Sequence, residues 1–301
     1  MTLALASYAT GKFLPLQKEL HESASRQGIT QHFAYNRDDL TQTAYYKANR
    51  SILDEPCGAG FWAWKPFFIL ETLAQLKEDD VLFYCDAGSL FLQDPTPLTE
   101  ICQRHPQGLV LFDARPLTNR AFTKRDCFVR LGCDAPEFWD STKVIATLLV
   151  VRKGAASLAF LAEWLHHCQD RAAITDDPST SGLRELKGYR QHRWDQSILS
   201  VLAAKHQLET FRSPTKWGNF LKLPAFREAG EEIVSPYDLP PKITAYADQP
   251  QANSPYGTIF LINRLPNFDH KKPYQPEPLR MRIKARLRPL VQRLRGLLRS
   301  S

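Results

Sequence analysis

The stretch GAGFWAWKPFFILETLAQLKEDDVLFYCDAG, residues 58–88, decides the fold. Pro66 suits the first turn of a helix, where its missing N–H has no hydrogen bond to lose. Apolar residues then recur at helical spacing and predict one buried helix face; they are Ile69, Leu73 and Leu76. After a polar turn, the short apolar run 81–85 is typical of a strand that is covered on both faces, as in a parallel sheet.

Asp86 follows this strand directly, and the small residues Ala87 and Gly88 come after it. Open α/β sheets bind their ligands at the carboxyl ends of their strands. A carboxylate at this position can therefore face a metal ion or a sugar without steric blockage by its neighbours. The structural alternative is an aspartate that only shapes the turn after the strand.

Similar patterns alternate along the rest of the body of the chain. Strands are predicted at 3–9, 32–35, 109–112 and 144–152, and helices at 12–27, 156–169 and from Asp195 onward. The polar, turn-rich segment 174–188 is predicted to be a loop. Strands that alternate with helices favour an α/β domain with a mainly parallel sheet.

The composition places the chain among ordinary globular proteins, with 301 residues, 43% hydrophobic and 24% charged. The N-terminal apolar stretch is too short and uncharged for a signal peptide, and no apolar run is long enough to span a bilayer. The six cysteines lack zinc-site spacing, which favours buried reduced thiols. These observations predict a cytoplasmic protein.

The net charge of +7 belongs to the C-terminal tail. Eight of the 39 lysine and arginine residues lie in 279–301, and the rest nearly balance the 32 acidic residues. Apolar residues recur at helical spacing between these arginines, which predicts a basic amphipathic helix that binds an anionic membrane surface. A disordered or RNA-binding tail is the alternative. The Pro-spaced linker 271–278 separates the tail from the body, 1–270, for which no specific nucleic-acid partner is expected.

Three segments carry a resemblance to a known family: GFWAWKP (60–66), FYCDAG (83–88) and RWDQSILSVL (193–202). Together they resemble bacterial nucleotide-sugar glycosyltransferases of the GT-A (nucleotide-diphospho-sugar transferase) superfamily, and the likeness covers roughly residues 1–270. It implies a GT-A-like, Rossmann-type three-layer sandwich. It also implies transfer of a sugar from a nucleoside-diphosphate donor to a hydroxyl of a glycan or lipid-linked acceptor, as in cell-surface polysaccharide synthesis.

The resemblance also implies a divalent metal, Mn²⁺ or Mg²⁺, bound to the donor diphosphate. Asp86 matches an aspartate of the family's DxD motif, but Gly88 stands where the second carboxylate belongs. Because such cations prefer several oxygen ligands, the diphosphate, water or another residue would have to complete the site. His270 is the candidate, since FDHKKPY (268–274) is similar to the late His-and-Lys segment of glycogenin-like transferases.

Other residues are assigned to the donor and to catalysis. Lys65 is the nearest cation for the diphosphate, with Trp64 beside it, and Ser7 and Tyr8 are predicted to contact the nucleotide after the first strand. The donor set is completed by Asp86, Ala87 and Gly88.

Asp195 and Gln196 open a helix close to the predicted sugar and acceptor. If the reaction inverts configuration, Asp195 would deprotonate the acceptor hydroxyl. If it retains configuration, Asp195 would position the sugar or stabilise positive charge. A helix cap is the structural alternative for this residue.

Two other functions remain open at this point. A sugar nucleotidyltransferase would carry a phosphate loop after its first strand, but SYATGK (7–12) offers only Gly11 and Lys12. A catalytically inactive protein on the inner face of the cell membrane is also conceivable, because of Gly88.

Overall fold

The computed structural model describes residues 1–215 and 251–262, and its central element is a mixed sheet. The strands in this part of the chain are β1 (Leu3–Tyr8), β2 (Gln31–Tyr35), β3 (Val81–Cys85), β4 (Leu90–Phe91), β5 (Leu109–Thr118), β6 (Thr142–Arg152), β7 (Thr210–Phe211) and β8 (Phe260–Leu261). Six of them form one sheet in the order β2-β1-β3-β6-β5-β7, and β4 pairs with β8.

Helical segments connect these strands. They are α1 (Leu14–Arg26), α2 (Arg37–Thr41), α3 (Ala44–Ala48), α4 (Arg50–Leu53), α5 (Gly58–Phe61), α6 (Trp64–Gln75), α7 (Thr96–Arg104), α8 (Asn119–Phe122), α9 (Arg125–Arg130), α10 (Pro136–Trp139), α11 (Ala155–Cys168), α12 (Arg171–Ile174) and α13 (Trp194–Lys205). The predicted strands and helices agree with these bounds within a few residues, except that β5 continues well past residue 112.

Five strands of the large sheet run in one direction, and β6 runs against both of its neighbours. The predicted fold class, an α/β protein with a mainly parallel sheet, is confirmed. In the register of β3 and β6, Cys85 pairs with Leu148. The earlier residues of β6 therefore extend beyond the carboxyl end of β3, at the edge where ligands bind in such sheets.

The sheet lies between two apolar layers, as in a three-layer sandwich. One layer holds helices α6, α11 and α13, and the other holds α1, α7 and the β4–β8 pair. Side chains of a strand alternate between its faces, so Ala6 and Tyr8 face the first layer while Leu5 faces the second.

Among residues 1–215 and 251–262, no helix is long and apolar enough to cross a membrane. The proposed linker 271–278, the basic tail 279–301 and His270 lie outside the described residues, so those predictions remain predictions.

The short segment α5 before α6 is a left-handed turn rather than a right-handed helix, and the sequence did not predict it. All five residues from Gly58 to Trp62 have positive φ, between 53° and 106°. This region is unfavourable for residues with a side chain by roughly 1–2 kcal/mol each. Two glycines are needed for packing as well. A Cβ on Gly58 would lie 2.1 Å from the Trp62 ring, and one on Gly60 would lie 2.6 Å from the Cα of Leu53.

Gly60→Ala is expected to destabilise the protein by about 3 kcal/mol, because backbone strain adds to a clash with the rigid backbone of Leu53. Gly182→Ala is the matched control, since Gly182 also has positive φ (71°) but its Cβ would meet nothing within 4 Å. Urea unfolding would measure both variants. Equal losses of stability would show that close packing at Gly60 does not matter.

Candidate functional site

A buried lysine joins two carboxylates at the carboxyl edge of the sheet. The Nζ atom of Lys65 lies 3.2 Å from Oδ1 of Asp86 and 3.1 Å from Oδ2 of Asp195. It also donates a hydrogen bond to the carbonyl oxygen of Ala146 at 3.0 Å. Two of these contacts are ion pairs and one is a hydrogen bond, and the Lys65 side chain is only 2% exposed. Burial opposes the charge of Lys65, but Asp195 and Asp86 outweigh it and raise its pKa.

Four elements place this cluster. Lys65 lies in the first turn of α6, Asp86 follows β3, Asp195 opens α13, and Ala146 belongs to the part of β6 that extends past β3. The backbone N–H of Asp86 donates to the carbonyl of Thr147 at 2.9 Å, which fixes the turn after β3 against β6. The structure thus brings together three of the residues assigned from the sequence.

Asp86 is the solvent-facing member of the cluster, with a side chain that is 29% exposed. Its Oδ1 contacts Lys65 and accepts a hydrogen bond from the Tyr84 hydroxyl at 2.8 Å. Burial, and then the charge of Asp86, raise the pKa of Tyr84 well above its usual value, so Tyr84 stays a donor. Within the described residues both contacts use Oδ1, which leaves Oδ2 for a ligand.

Asp195 lies beneath Asp86, with a side chain that is 5% exposed. Burial raises its pKa to about 6, and the charge of Asp86 adds to the rise while Lys65 opposes it. The indole N–H of Trp164 donates to the backbone carbonyl of Asp195 at 3.1 Å and so fixes this turn of α13. The N-cap of α13 is Arg193, and no side-chain cap is formed there, so Asp195 is not the helix cap.

The remaining assigned residues separate into two groups. Gln196 donates its amide Nε2 to the carbonyl of Val144 at 2.7 Å, beside the cluster. Trp64 is buried, stacks on Tyr8 with ring centroids 4.0 Å apart, and donates its indole N–H to the carbonyl of Gly58 at 3.0 Å. Both aromatic residues therefore pack beneath the site in this structure. Their predicted contact with the donor is left as a prediction.

Ala87 and Gly88 form the turn that follows Asp86. The backbone N–H of Ser89 closes this turn on the carbonyl of Asp86 at 2.9 Å. Ala87 is buried, and Gly88 is only partly buried.

Ser7 lies on the other face of the sheet. It is fully buried, and its hydroxyl accepts a hydrogen bond from Nε2 of Gln17 at 3.0 Å and lies 2.8 Å from Nε2 of His21. Because neighbouring side chains of β1 alternate, Ser7 points to α1 while Tyr8 points to α6. The structure does not bring Ser7 together with the Lys65 cluster.

Sequence reasoning missed two parts of the cluster. Tyr84 could have been found, because side chains two residues apart along a strand point to the same face, and Tyr84 precedes Asp86 by two residues. The carbonyl of Ala146 gave no signal, since any residue type supplies a backbone acceptor.

The described side chains at this site could supply only some of the ligands that a divalent metal needs. In the described part of the chain, no group of three His, Cys, Asp or Glu side chains could hold a metal. Asp86 offers one carboxylate oxygen, so a nucleoside diphosphate, water and the predicted ligand His270 would have to supply the rest.

No protein-family model matches the chain, and no curated protein sequence matches it significantly. Three solved structures that are similar to it are glycosyltransferases. Mouse xyloside xylosyltransferase 1 in its apo form is 11% identical, with a TM-score of 0.40 over 87% of this chain and 97% of that one. A glycosyltransferase involved in glycosylation of the major capsid of PBCV-1 is 13% identical, with a TM-score of 0.34 over 60% of this chain and 72% of that one.

The third similar structure is the apo-form glycosyltransferase GlyE of Streptococcus pneumoniae TIGR4. It is 14% identical, with a TM-score of 0.38 over 80% of this chain and 53% of that one. Similarities of this size carry no functional argument, so the function must be inferred from the side chains of the site.

Lys65→Met is expected to destabilise the protein by about 3 kcal/mol at neutral pH, because it leaves two carboxylates without their shared cation. Lys143→Met is the matched control. Lys143 is also fully buried, but among the described residues its Nζ hydrogen-bonds only to uncharged oxygens at 3.3–3.5 Å, those of Phe122, Thr123 and Ser197. Calorimetry would measure both variants.

The control variant is expected to melt at or above the temperature of the wild type. Burial, and then the charge of Arg193, hold the pKa of Lys143 well below its usual value in the folded state. At a pH between the lowered folded-state pKa and the usual pKa of lysine, unfolding takes up a proton, so the stability of the wild type rises with pH there. The gain from Lys143→Met should shrink toward pH 10. If Lys143→Met is instead the more damaging variant, this assignment of the two lysines is wrong.

Proposed function

We propose that this protein is a glycosyltransferase that moves a sugar from a nucleoside-diphosphate donor to a hydroxyl group of an acceptor. The observation that carries the proposal is the contact of one buried ammonium, Lys65, with two carboxylates at the carboxyl edge of the sheet. Such an arrangement holds Asp86 at the surface in a fixed orientation and keeps a second carboxylate below it. Preorganised charges of this kind stabilise a transition state without reorganisation during the reaction.

Lys65 acts in this proposal as a positioning residue. Its Nζ atom lies within 3.2 Å of an oxygen of Asp86, of Asp195 and of Ala146, and its side chain is buried. In this proposal its ammonium acts on the donor through the two carboxylates, and its direct contact with the diphosphate stays a prediction. Its charge fixes the two carboxylates relative to each other.

Asp86 would hold Mn²⁺ or Mg²⁺ through Oδ2, since Oδ1 contacts Lys65 and Tyr84, with the donor diphosphate as a further ligand. A divalent ion at this place would offset the negative charge that develops on the leaving diphosphate. His270 remains the proposed second protein ligand.

Asp195 is better placed to stabilise positive charge on the sugar than to remove a proton from the acceptor. Its side chain is nearly inaccessible, and its Oδ2 faces the ammonium of Lys65. A carboxylate in that position favours positive charge nearby, as develops at the anomeric carbon when the donor bond breaks. Gln196 lies at the same turn of α13 and would orient the sugar or the acceptor through the part of its amide that does not bind Val144.

The structure favours sugar transfer over nucleotidyl transfer. The segment after β1 forms a short 3-10 turn, Gly11–Phe13, and Ser7 is turned into α1. The described residues at the end of β1 therefore do not form a glycine-rich phosphate loop. A catalytically inactive protein would require no particular structure at this site. Only an assay of turnover distinguishes it from an active glycosyltransferase.

Asp86→Asn is expected to reduce turnover at least about 100-fold while shifting the melting temperature by only a few degrees, because the amide keeps the shape but lacks the charge. Mass spectrometry with a panel of UDP, GDP and CDP sugars and Mn²⁺ would measure transfer. Asp140→Asn is the matched control, since Asp140 forms an exposed pair with Arg120. No transfer by the wild type from any donor would overturn the proposal, and full activity of Asp86→Asn would remove Asp86 from the site.

We further propose that the acceptor is a glycan or a lipid-linked glycan at the inner face of the cell membrane. Support comes from the basic, apolar-striped sequence of residues 279–301, which is typical of helices that lie on anionic lipid surfaces.

Flotation with vesicles would test the tail. The full chain is expected to float with vesicles that contain anionic lipid, and less so at high salt, because each basic residue contributes about 1 kcal/mol near the surface. A chain truncated after residue 278 should remain at the bottom of the gradient. Vesicles of neutral lipid are the control. Equal flotation of both chains would exclude the tail as the anchor.

A further inference from the structure

A tryptophan and an aspartate form a further polar contact beside the Lys65 cluster. Trp194 precedes Asp195 directly, and its indole N–H donates to Oδ2 of Asp176 at 2.7 Å. Burial raises the pKa of the Cys57 thiol to about 12, and the charges of Asp176 and Asp195 add to this rise. One thiol is thus within electrostatic reach of both carboxylates, which places Asp176 close to the cluster.

The backbone on both sides of Asp176 is fixed by one buried lysine. Lys124 is only 3% exposed, and its Nζ donates to the carbonyl of Asp177 at 2.7 Å and to that of Thr175 at 3.4 Å. The carboxylate of Asp177 pairs with Nε of Arg171 at 2.6 Å. Asp176 itself is exposed to solvent. Its position is therefore preorganised, which lowers the entropy that a ligand must pay on binding.

Only one oxygen of Asp176 is used by the protein. In the parts of the chain that the structure describes, Oδ2 accepts from Trp194, and Oδ1 has no hydrogen bond or ion pair. A second indole–carboxylate pair provides a contrast. Trp139 donates to Oδ1 of Asp134 at 3.0 Å, but Arg125 contacts both oxygens of that carboxylate, at 2.6 and 2.9 Å. The pair at Asp176 thus keeps an acceptor for a ligand, and the pair at Asp134 does not.

The indole of Trp194 is partly exposed beside this carboxylate. Its ring stacks on that of Trp62, with centroids 5.1 Å apart. The other side of Trp62 packs against Gly58, where a Cβ would lie 2.1 Å from the ring. Both sides of Trp62 are thus covered, and the indole that a ligand could contact is that of Trp194. Trp194 also has a positive φ of 46°, a strained conformation that recurs at ligand-binding sites.

An aromatic ring beside an available carboxylate oxygen is complementary to a sugar. The C–H groups on one face of a pyranose form an apolar surface that packs on an indole, and the hydroxyl groups of the sugar donate to a carboxylate.

We propose that Trp194 and Asp176 bind the acceptor sugar, and that this sugar is a neutral pyranose. Oδ1 of Asp176 accepts from its hydroxyl groups, and the indole covers its apolar face. A uronic acid or a sugar phosphate would place a second negative charge beside Asp176 and would be repelled. The role of the bound sugar as acceptor rests on the glycosyl transfer proposed above.

Saturation-transfer NMR with the full chain would test this site without turnover. The probes are the methyl glycosides of glucose, galactose, mannose, N-acetylglucosamine and glucuronic acid, each with Mg²⁺ and with UDP, GDP or CDP in turn. At least one neutral glycoside is expected to bind, with the strongest transfer to the C–H groups of one ring face. The glucuronide is expected to bind at least about tenfold more weakly, because its carboxylate faces Asp176.

Asp176→Asn should weaken binding of the neutral glycoside about tenfold, because a hydrogen bond to a charged group is lost. It should also reduce the discrimination against the glucuronide, because the repulsion is removed. A merely structural Asp176 predicts neither change, since the amide oxygen still accepts from Trp194. Trp194→Ala should weaken binding at least about tenfold as well, and Asp176→Asn decides if that variant fails to fold. Asp134→Asn, from the second indole–carboxylate pair, is the matched control and should bind as the wild type does.

Three results would overturn the proposal: no binding of any neutral glycoside by the wild type, tighter binding of the glucuronide, or equal binding by Asp176→Asn and the wild type. Bound glycoside without sugar transfer from any donor would overturn the transferase function and leave a sugar-binding site. Transfer with an unchanged acceptor KM in Asp176→Asn would overturn the acceptor site and leave the transferase function.

Discussion

The ammonium of Lys65 is the interaction on which the candidate site depends. It is the common contact of helix α6, the end of β3, the start of α13 and the overhanging part of β6. Without it, Asp86 and Asp195 would be two like charges at one edge of the sheet, one of them almost without solvent. A desolvated ion pair contributes little to stability by itself, but breaking one is damaging because the remaining charge has no partner. The ammonium therefore acts mainly on geometry, since it fixes both carboxylates.

Backbone strain lies on both sides of this ion pair. Trp62, three residues before Lys65, has φ of 58°, and Trp194, next to Asp195, has φ of 46°. The two indole rings stack on each other with centroids 5.1 Å apart. Residues with side chains remain in this region only when the surrounding structure enforces it. Here the stacked rings, and the lack of a Cβ at Gly58, hold the two turns that direct Lys65 and Asp195 toward each other.

The sequence was sufficient for the helix–strand–turn unit that presents Asp86, because helical spacing and a short apolar run each predict one element. It was not sufficient for the direction of β6, since the pattern of a strand is the same in both directions. The left-handed turn was also missed, because Ala59, Phe61 and Trp62 have no preference for positive φ. Side-chain alternation along β1 also places Ser7 and Tyr8 on opposite faces of the sheet, a consequence that the sequence analysis did not draw.

The charge balance of the cluster bears on the donor. The pKa of Lys65 is raised, so it carries one positive charge at neutral pH, where Asp195, with a pKa of about 6, is mainly ionised beside the carboxylate of Asp86. The described cluster is thus negative overall and would repel a bare diphosphate. The divalent cation proposed between Asp86 and the donor would remove this conflict, because it places positive charge between the two.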